Sequence, residues 1–165
     1  FNSKRATMAV LSDRKDRTGD GAVKFTHITL TNTGHSTEIH SGDKLRFTLK
    51  YKGIQHEPIR NVRVVIVVHN DDLRRVLWLD SDVCSISLPS ELPPEGTIIC
   101  ETEAAHLVEG RYFVEINFHI KGVSQDLIML AAEFDVVTNL ETYNFKLPPD
   151  KTVVDHLVGY RYLQS

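Results

Sequence analysis

Three side chains able to form directed hydrogen bonds recur at every second position of one stretch: Glu115, Asn117 and His119. A carboxylate, an amide and an imidazole together supply acceptors and donors, and the imidazole adds a flat ring. Such a set is suited to a polyhydroxylated ligand, whose hydroxyls need both kinds of partner. It is also typical of any half-exposed strand, so the pattern alone leaves both interpretations open.

The stretch that carries these side chains alternates strictly between apolar and mixed polar residues. One set must face a core: Tyr112, Val114, Ile116, Phe118 and Ile120. The other set faces away from it: Arg111, Phe113, Glu115, Asn117 and His119. A period of two predicts a β-strand over residues 110–120, around which the other elements are arranged.

Similar strand patterns recur along the chain, separated by turn residues. We predict strands over residues 22–32, 44–52, 61–69, 73–81, 97–102 and 127–137, with a short strand or loop over 83–88. The spacing slips near His27, which predicts a bulge or a change of facing partner. Residues 127–134 are good helix formers, but their position between strands favours a strand. About eight short strands with regular turns predict an all-β fold, an immunoglobulin-like antiparallel β-sandwich.

Bulk properties narrow the classes of function. The chain has 165 residues and a net charge of −3, which fits one soluble domain and argues against a general nucleic-acid binder. No apolar run is long enough to cross a membrane. Cys84 and Cys100 could pair, but two cysteines in this length favour reduced, mostly buried thiols.

The chain divides into three predicted parts. Residues 1–20 are polar and aperiodic and read as a linker, and the absence of an initiator Met leads us to expect a longer parent chain. Residues 21–138 form the sandwich. Residues 139–165 combine a hinge at Pro148-Pro149 with a terminal apolar segment at 153–163. A strand after such a hinge can pair with its own sheet or with a neighbour's open edge.

Four arginines lie around the third and fourth predicted strands: Arg60, Arg63, Arg74 and Arg75. Guanidinium groups bind carboxylates and phosphates with two parallel hydrogen bonds. The cluster therefore predicts an anionic ligand, and the alternative is an ordinary charged hairpin surface.

Metal and catalytic sites are weakly indicated. His27, His35 and His40 lie on different turns, and Asp80-Ser81-Asp82 lacks the remaining ligands of a calcium loop, so we predict no metal and no other cofactor. Two carboxylates among Glu101, Glu103, Glu109 and Glu115 could hydrolyse a glycoside, but nothing in the sequence makes two of them face each other. A sandwich that adds a strand to a partner protein is a third class.

Several motifs occur in a recognisable order. They are Gly21-x-Val23-x-Phe25, Ser41-Gly42-Asp43-x-Leu45-x-Phe47, Val62-x-Val64, a Pro-rich turn before Gly110-Arg111-Tyr112, and Phe134-x-Val136 ahead of an aromatic and basic C-terminal segment. This ordered set resembles the C-terminal carbohydrate-binding domain of the nucleotide-binding subunit of bacterial O-antigen polysaccharide ABC transporters (Wzt type). The resemblance extends from residue 21 to about residue 163.

The resemblance implies a non-catalytic role. Domains of this family are two-sheet sandwiches that dimerise by exchanging the C-terminal strand, and they hold the capped non-reducing end of a lipopolysaccharide O-antigen glycan for export. It implies a homodimer, a link to the transporter's membrane subunit through an ATPase domain, and a cytoplasmic location at the inner face of the bacterial inner membrane. The sequence contains no Gly-x-x-x-x-Gly-Lys-Ser/Thr motif, so we expect the isolated binding domain.

The resemblance also implies that the sugar lies on a sheet face. On that basis the predicted carbohydrate-binding residues are Arg63, His69, Arg75, Trp78, Glu115, Asn117 and His119, with Val65 and Val67 as the floor. The competing interpretation is a solvated sheet face with Trp78 in the core. An anionic cap on the glycan would account for the arginines.

Overall fold

The computed structural model describes residues 8–84 and 88–138 in full and the backbone of residues 157–163. Every regular element in these ranges is a β-strand. In chain order they are β1 (Met8–Val10), β2 (Val23–Asn32), β3 (Ile39–His40), β4 (Lys44–Gly53), β5 (Ile59–Arg60), β6 (Val62–Asn70), β7 (Arg75–Asp80), β8 (Glu91–Leu92), β9 (Glu95–Ala104), β10 (Gly110–Ile120), β11 (Val123–Val137) and β12 (Leu157–Leu163).

Two five-stranded sheets form the body of the fold. The first has the strand order β1-β2-β4-β9-β12, and the second has the order β3-β11-β10-β6-β7. Neighbours are antiparallel except for β3, whose Ile39 pairs in parallel with Val136 of β11. A separate two-stranded ribbon pairs β5 with β8. The predicted all-β sandwich is confirmed.

The core lies between the two sheets and is aromatic at its centre. Phe118 of the second sheet contacts Phe25 and Tyr51 of the first, with ring centroids 5.7 Å and 5.5 Å away. The hydroxyl of Tyr51 donates to the carbonyl of Pro93 at 2.8 Å, which satisfies its one polar group. These contacts hold the layers in a single relative position, because interdigitated rings cannot slide without opening voids.

The strand β10 is central to the second sheet, as its alternation predicted. Tyr112, Val114, Ile116 and Phe118 are all at most 1% exposed and face the core. On its two sides β10 pairs with β6 and β11 over nearly its whole length. The remaining set of side chains therefore faces outward, away from the first sheet.

Two local predictions are also confirmed. The register of β2 against β4 shifts between Phe25 and His27, where Thr26 is the extra residue of a bulge. Residues 127–137 belong to the strand β11, because Phe134 and Val136 must alternate into the core despite helix-forming neighbours. Residues 85–87, within the stretch predicted as strand or loop, lie outside the described residues.

Residues 8–20 belong to the sandwich, although the sequence analysis assigned residues 1–20 to a linker. The strand β1 pairs with β2, placing Met8 opposite Thr29. Leu11 is fully buried, and Thr18 forms a bridge with Leu127 of β11. A short polar segment can be ordered by backbone pairing and one buried anchor, neither of which produces a periodic sequence.

The C-terminal strand pairs within the chain in this structure. Antiparallel pairing joins β12 to β9, with Tyr160 opposite Cys100. The predicted exchange of this strand between two copies stays a prediction, and the hinge at Pro148-Pro149 lies outside the described residues.

Cys84 and Cys100 are thiols, as predicted, and Cys100 is buried. No helix in the described ranges is long and apolar enough to span a membrane.

Candidate functional site

The outward side of the second sheet, here called the outer face, carries all seven predicted site residues. Strand pairing arranges them in rows that run across β7, β6 and β10. The rows are Arg75, His69 and Phe113; Trp78, Val67 and Glu115; Asp80, Val65 and Asn117; and Arg63 with His119. The structure therefore brings together residues that lie up to 56 positions apart in the sequence.

Trp78 is a surface residue, and the interpretation that places it in the core is wrong. Its side chain is 46% exposed, while Leu77 and Leu79 on either side are fully buried. The guanidinium carbon of Arg75 lies 5.7 Å from the centre of the indole ring. This distance is within the range of a cation–π contact, which holds the ring against the sheet and leaves part of it available for stacking.

A histidine and a carboxylate meet in the middle of the outer face. Nε2 of His69 lies 3.2 Å from Oε2 of Glu115, and both side chains are largely buried. The pair bridges β6 and β10 diagonally, between the rows of Trp78 and Arg75. Glu115 keeps acceptor capacity on its second oxygen, because a carboxylate has two oxygens with two lone pairs each.

Arg63 is held by two aspartates. Its Nε donates to Oδ1 of Asp80 at 3.0 Å, its Nη2 donates to Oδ2, and Asp82 approaches within 3.7 Å. Burial alone would raise the pKa of Asp80, but the hydrogen bonds from Arg63 and the amide of Asp82 outweigh it and lower that pKa below 3.8. The Arg63 guanidinium is therefore largely neutralised by its neighbours.

His119 lies beside this ion pair. Burial and the nearby Arg63 lower its pKa from 6.5, against the opposing pull of Asp80 and Asp82. Its Nδ1 is buried and makes no hydrogen bond within the part of the chain that the structure describes. At neutral pH the ring is thus an uncharged imidazole with an unused polar atom.

Asn117 and the two valines are the remaining predicted residues on the outer face. Oδ1 of Asn117 accepts a hydrogen bond from the hydroxyl of Ser124 at 2.7 Å, which orients the amide and leaves its NH₂ group as a donor. Val65 and Val67 are 8% and 7% exposed, so the larger side chains around them cover most of the predicted floor. The outer face is thus a shallow polar surface with one open indole ring.

Comparison with known proteins decides the family. The family model described as the Wzt C-terminal domain matches residues 14–146, which is most of the chain. The chain belongs to the Wzt C-terminal domain family. A solved structure titled "Crystal structure of the C-terminal domain of wzt" matches with a TM-score of 0.64 and 12% identity, covering 85% of this chain and 86% of that one. No curated protein gives a significant match.

In this Wzt C-terminal domain, the arginine cluster is less available than the sequence indicated. Arg60 pairs with Glu91 at 2.8 Å, and Arg63 is held by Asp80 and Asp82. Arg75 lies over Trp78. Asp80 and Asp82 were not predicted as partners of Arg63, although the alternation of β7 places Asp80 on the same face as Trp78.

The structure gives several of the weaker sequence candidates separate surroundings. His27 contacts Thr26, His35 contacts Arg46, and His40 lies 3.5 Å from Glu38. Glu101 lies on the first sheet beside Arg46, whereas Glu115 is on the outer face of the second. Two carboxylates on opposite layers cannot flank one glycosidic bond.

Two clefts beside the loop of residues 54–58 were not predicted from the sequence. One, of about 430 Å³, includes Pro58, Ile120 and Lys121 in its lining. The other, of about 470 Å³, includes Lys24 and Lys52. None of the seven predicted site residues lines either cleft. Each cleft is lined by segments that are distant in the sequence, so no local sequence pattern predicts it.

Proposed function

We propose that the outer face binds carbohydrate without catalysis, as the recognition surface of a Wzt-type subunit of an ABC exporter. The observation that carries the proposal is the row formed by Trp78, Val67 and Glu115. A half-exposed indole offers a stacking surface for the apolar side of a pyranose, and a carboxylate in the same row accepts hydrogen bonds from hydroxyls.

The dimensions of this row indicate the size of the ligand. Trp78 and Glu115 are two strands apart, which is about 10 Å at the usual spacing between strands. That distance is wider than a single sugar ring. A ligand that reaches both residues must therefore present more than one ring, as the end of an O-antigen glycan does.

The biological ligand in this proposal is the capped, non-reducing end of a lipopolysaccharide O-antigen. Membership of the Wzt C-terminal domain family supports this choice. We further propose that the cap of this glycan is anionic. Because Arg60 and Arg63 are already paired with acids, its binding on this face would depend on Arg74 and Arg75.

The proposed setting follows from the same family. The domain would act in the cytoplasm, at the inner face of the bacterial inner membrane, and an ATPase domain would link it to the membrane subunit. A homodimer formed by exchange of β12 would keep the pairing of that strand with β9 and supply it from the neighbouring copy.

Titration with purified glycans tests the proposal. We expect the terminal oligosaccharide of the cognate O-antigen to bind with a Kd between about 1 μM and 1 mM, because a shallow site with few hydroxyl contacts gives about −4 to −8 kcal/mol. Isothermal titration calorimetry should compare capped and uncapped chains. Equal binding of a neutral uncapped chain would contradict the hypothesis of an anionic cap. The absence of saturable binding to any O-antigen fragment would contradict the proposed carbohydrate-binding function.

The two alternative functions, a glycosidase and a protein adaptor, predict different results when the protein is mixed with the same glycans. Release of reducing sugar would indicate a glycosidase. Retention of a protein partner together with no binding to polysaccharide would indicate an adaptor that adds a strand to its partner.

A further inference from the structure

The larger of the two clefts beside the 54–58 loop is basic. We call it the lysine cleft. It lies where the start of β2, the end of β4 and the segment before β2 meet, and its volume is about 470 Å³. Small-molecule sites commonly fall in the range of about 300–1,000 Å³. Its lining residues are Ser12, Arg17, Lys24, Phe25, Thr26, Lys52, Gly53, Ile54 and His56. This lining contains cationic and hydroxyl side chains and no carboxylate.

Two lysines face each other at this cleft. Lys24 of β2 is paired directly opposite Lys52 of β4. Both side chains are exposed, and their strand neighbours Val23 and Tyr51 are buried, so both lysines lie on the outward side of the first sheet. Like charges directly opposite in a sheet are destabilising. An anion between the two ammonium groups would offset that repulsion.

Two acids lie near the lysine pair, Glu95 and Asp126. Within the described residues, neither lysine forms an ion pair, and Glu95, which lies opposite Lys52 on β9, forms none either. Asp126 lies 3.2 Å from the Nε of Arg17. It is buried and outside the lining of the cleft, and the charges of both Arg17 and Lys24 act on it. One carboxylate thus faces two of the three strong cations of the cleft, which leaves the lining with an excess of positive charge.

Hydroxyl groups lie on the same wall. Ser12 and Thr26 line the cleft together, with Ser12 Oγ 3.5 Å from the carbonyl of Thr26. The Ser12 hydroxyl donates to that carbonyl, and the Thr26 hydroxyl lies 3.0 Å from Nδ1 of His27, so each would have to turn from its present partner to donate to an oxyanion. Arg17 is held in place by Asp126 and by a hydrogen bond from Nη2 to the carbonyl of Phe25 at 3.1 Å. The guanidinium of Arg17 is therefore fixed before any ligand arrives.

We propose that the lysine cleft binds a phosphate-bearing small ligand. A phosphate monoester carries a charge of about −1.5 to −2 at neutral pH, which matches two ammonium groups, and Lys is a common phosphate ligand. The site is separate from the outer face, since it lies on the other sheet. The phosphate group could belong to free phosphate or to a sugar phosphate, which share this recognition chemistry.

The test uses the whole chain with two matched double variants. K24Q/K52Q removes the lysines of the cleft, and K44Q/K50Q removes two exposed lysines of the same strand layer that do not line it. Both variants lose the same charge, so bulk electrostatics is equal. Inorganic phosphate, hexose 6-phosphate and unphosphorylated hexose would each be titrated into ¹⁵N-labelled protein.

We expect saturable amide shifts at Ser12, Thr26 and Lys52 with both phosphates and none with the hexose. Affinity should fall at least tenfold in K24Q/K52Q and change less than twofold in K44Q/K50Q. If hexose 6-phosphate binds more tightly than inorganic phosphate, the ligand is a sugar phosphate. If the two bind equally, the cleft recognises the phosphate group alone.

Two results would overturn the proposal: no saturation with either phosphate, or equal weakening in the two double variants. The thermal midpoint of K24Q/K52Q serves as the folding control. It should be unchanged or raised, because the substitution removes a like-charge pair from the sheet.

Discussion

Arg63 and Asp80 form a two-pronged ion pair across β6 and β7, with Nε 3.0 Å from Oδ1. Asp80 is nearly buried, and Asp82 approaches the same guanidinium. The pair changes the role expected of Arg63. A guanidinium that already satisfies a buried carboxylate supports the outer face and has little capacity left for an anion.

Arg63→Ala should therefore destabilise the fold. We expect the free energy of unfolding to fall by about 2 kcal/mol, because Asp80 would stay buried without its charged partner. Chemical denaturation measures this. Arg74→Ala is the control, since Arg74 is exposed and outside any ion pair within the described residues, and it should change stability by less than about 0.5 kcal/mol. Equal effects of the two substitutions would contradict a supporting role.

Trp78→Ala should weaken glycan binding and preserve the fold. The indole is half exposed and its removal opens little of the core, so we expect a loss of about tenfold in affinity, or 1.4 kcal/mol. Met8→Ala removes an exposed apolar side chain from β1, at the edge of the first sheet, and provides the control. Calorimetric titration of both variants should separate them. Unchanged affinity in Trp78→Ala would show that the ligand does not contact this face.

Glu115→Gln should lower affinity more than stability. The amide keeps the shape of the carboxylate but is a weaker acceptor for hydroxyls and for His69. We expect about tenfold weaker glycan binding and a stability loss of about 1 kcal/mol. Glu101→Gln is the matched control, because Glu101 is a similarly placed carboxylate beside Arg46 on the other sheet. A larger binding loss in Glu101→Gln would place the ligand on the first sheet.

The protonation of His119 should make stability depend on pH below neutrality. Its folded pKa is lowered from 6.5, so the unfolded state binds the proton more readily. This contribution to stability is full above pH 6.5, declines as the pH falls through 6.5 to the folded pKa, and then levels off. His119→Gln should flatten the profile in that window. An NMR titration that gave His119 a pKa above 6.5 would contradict the arrangement of charges described here.

Removal of the C-terminal strand tests the proposed exchange. The strand β12 covers the edge of β9, so deletion of residues 153–165 should expose that edge. We expect the whole chain to be a dimer by light scattering and the shortened chain to be monomeric or insoluble. A soluble dimer of the shortened chain would show that another surface holds the two copies together.

Several features could be predicted because they depend on residues close together in sequence. Alternation identified β10 and sorted its side chains into an inward and an outward set, and the slip at His27 located a bulge. Ordered motifs indicated the family. All seven predicted site residues are indeed on one face, because each sits at an outward position of a strand that the sequence pattern had identified.

Other features could not be predicted, because they depend on which strands are neighbours. Residues 8–20 join the sandwich through backbone pairing, which composition does not reveal. The partner of Arg63 lies 17 residues away on another strand. The pairing of Lys24 with Lys52 exists only through the register of β2 and β4.

The amino-acid sequence by itself determined the layers of this protein, since the two-residue period of a strand decides which side chains reach the core. Only the tertiary structure decided which charges are neutralised and which remain available. Trp78 and Arg63 illustrate the difference. Both face outward by alternation, but the fold leaves the indole open and places a buried aspartate against the guanidinium. Strand register and sheet order bring together residues that are distant in the sequence. Contacts between such residues determine which charged and aromatic groups the surface leaves available.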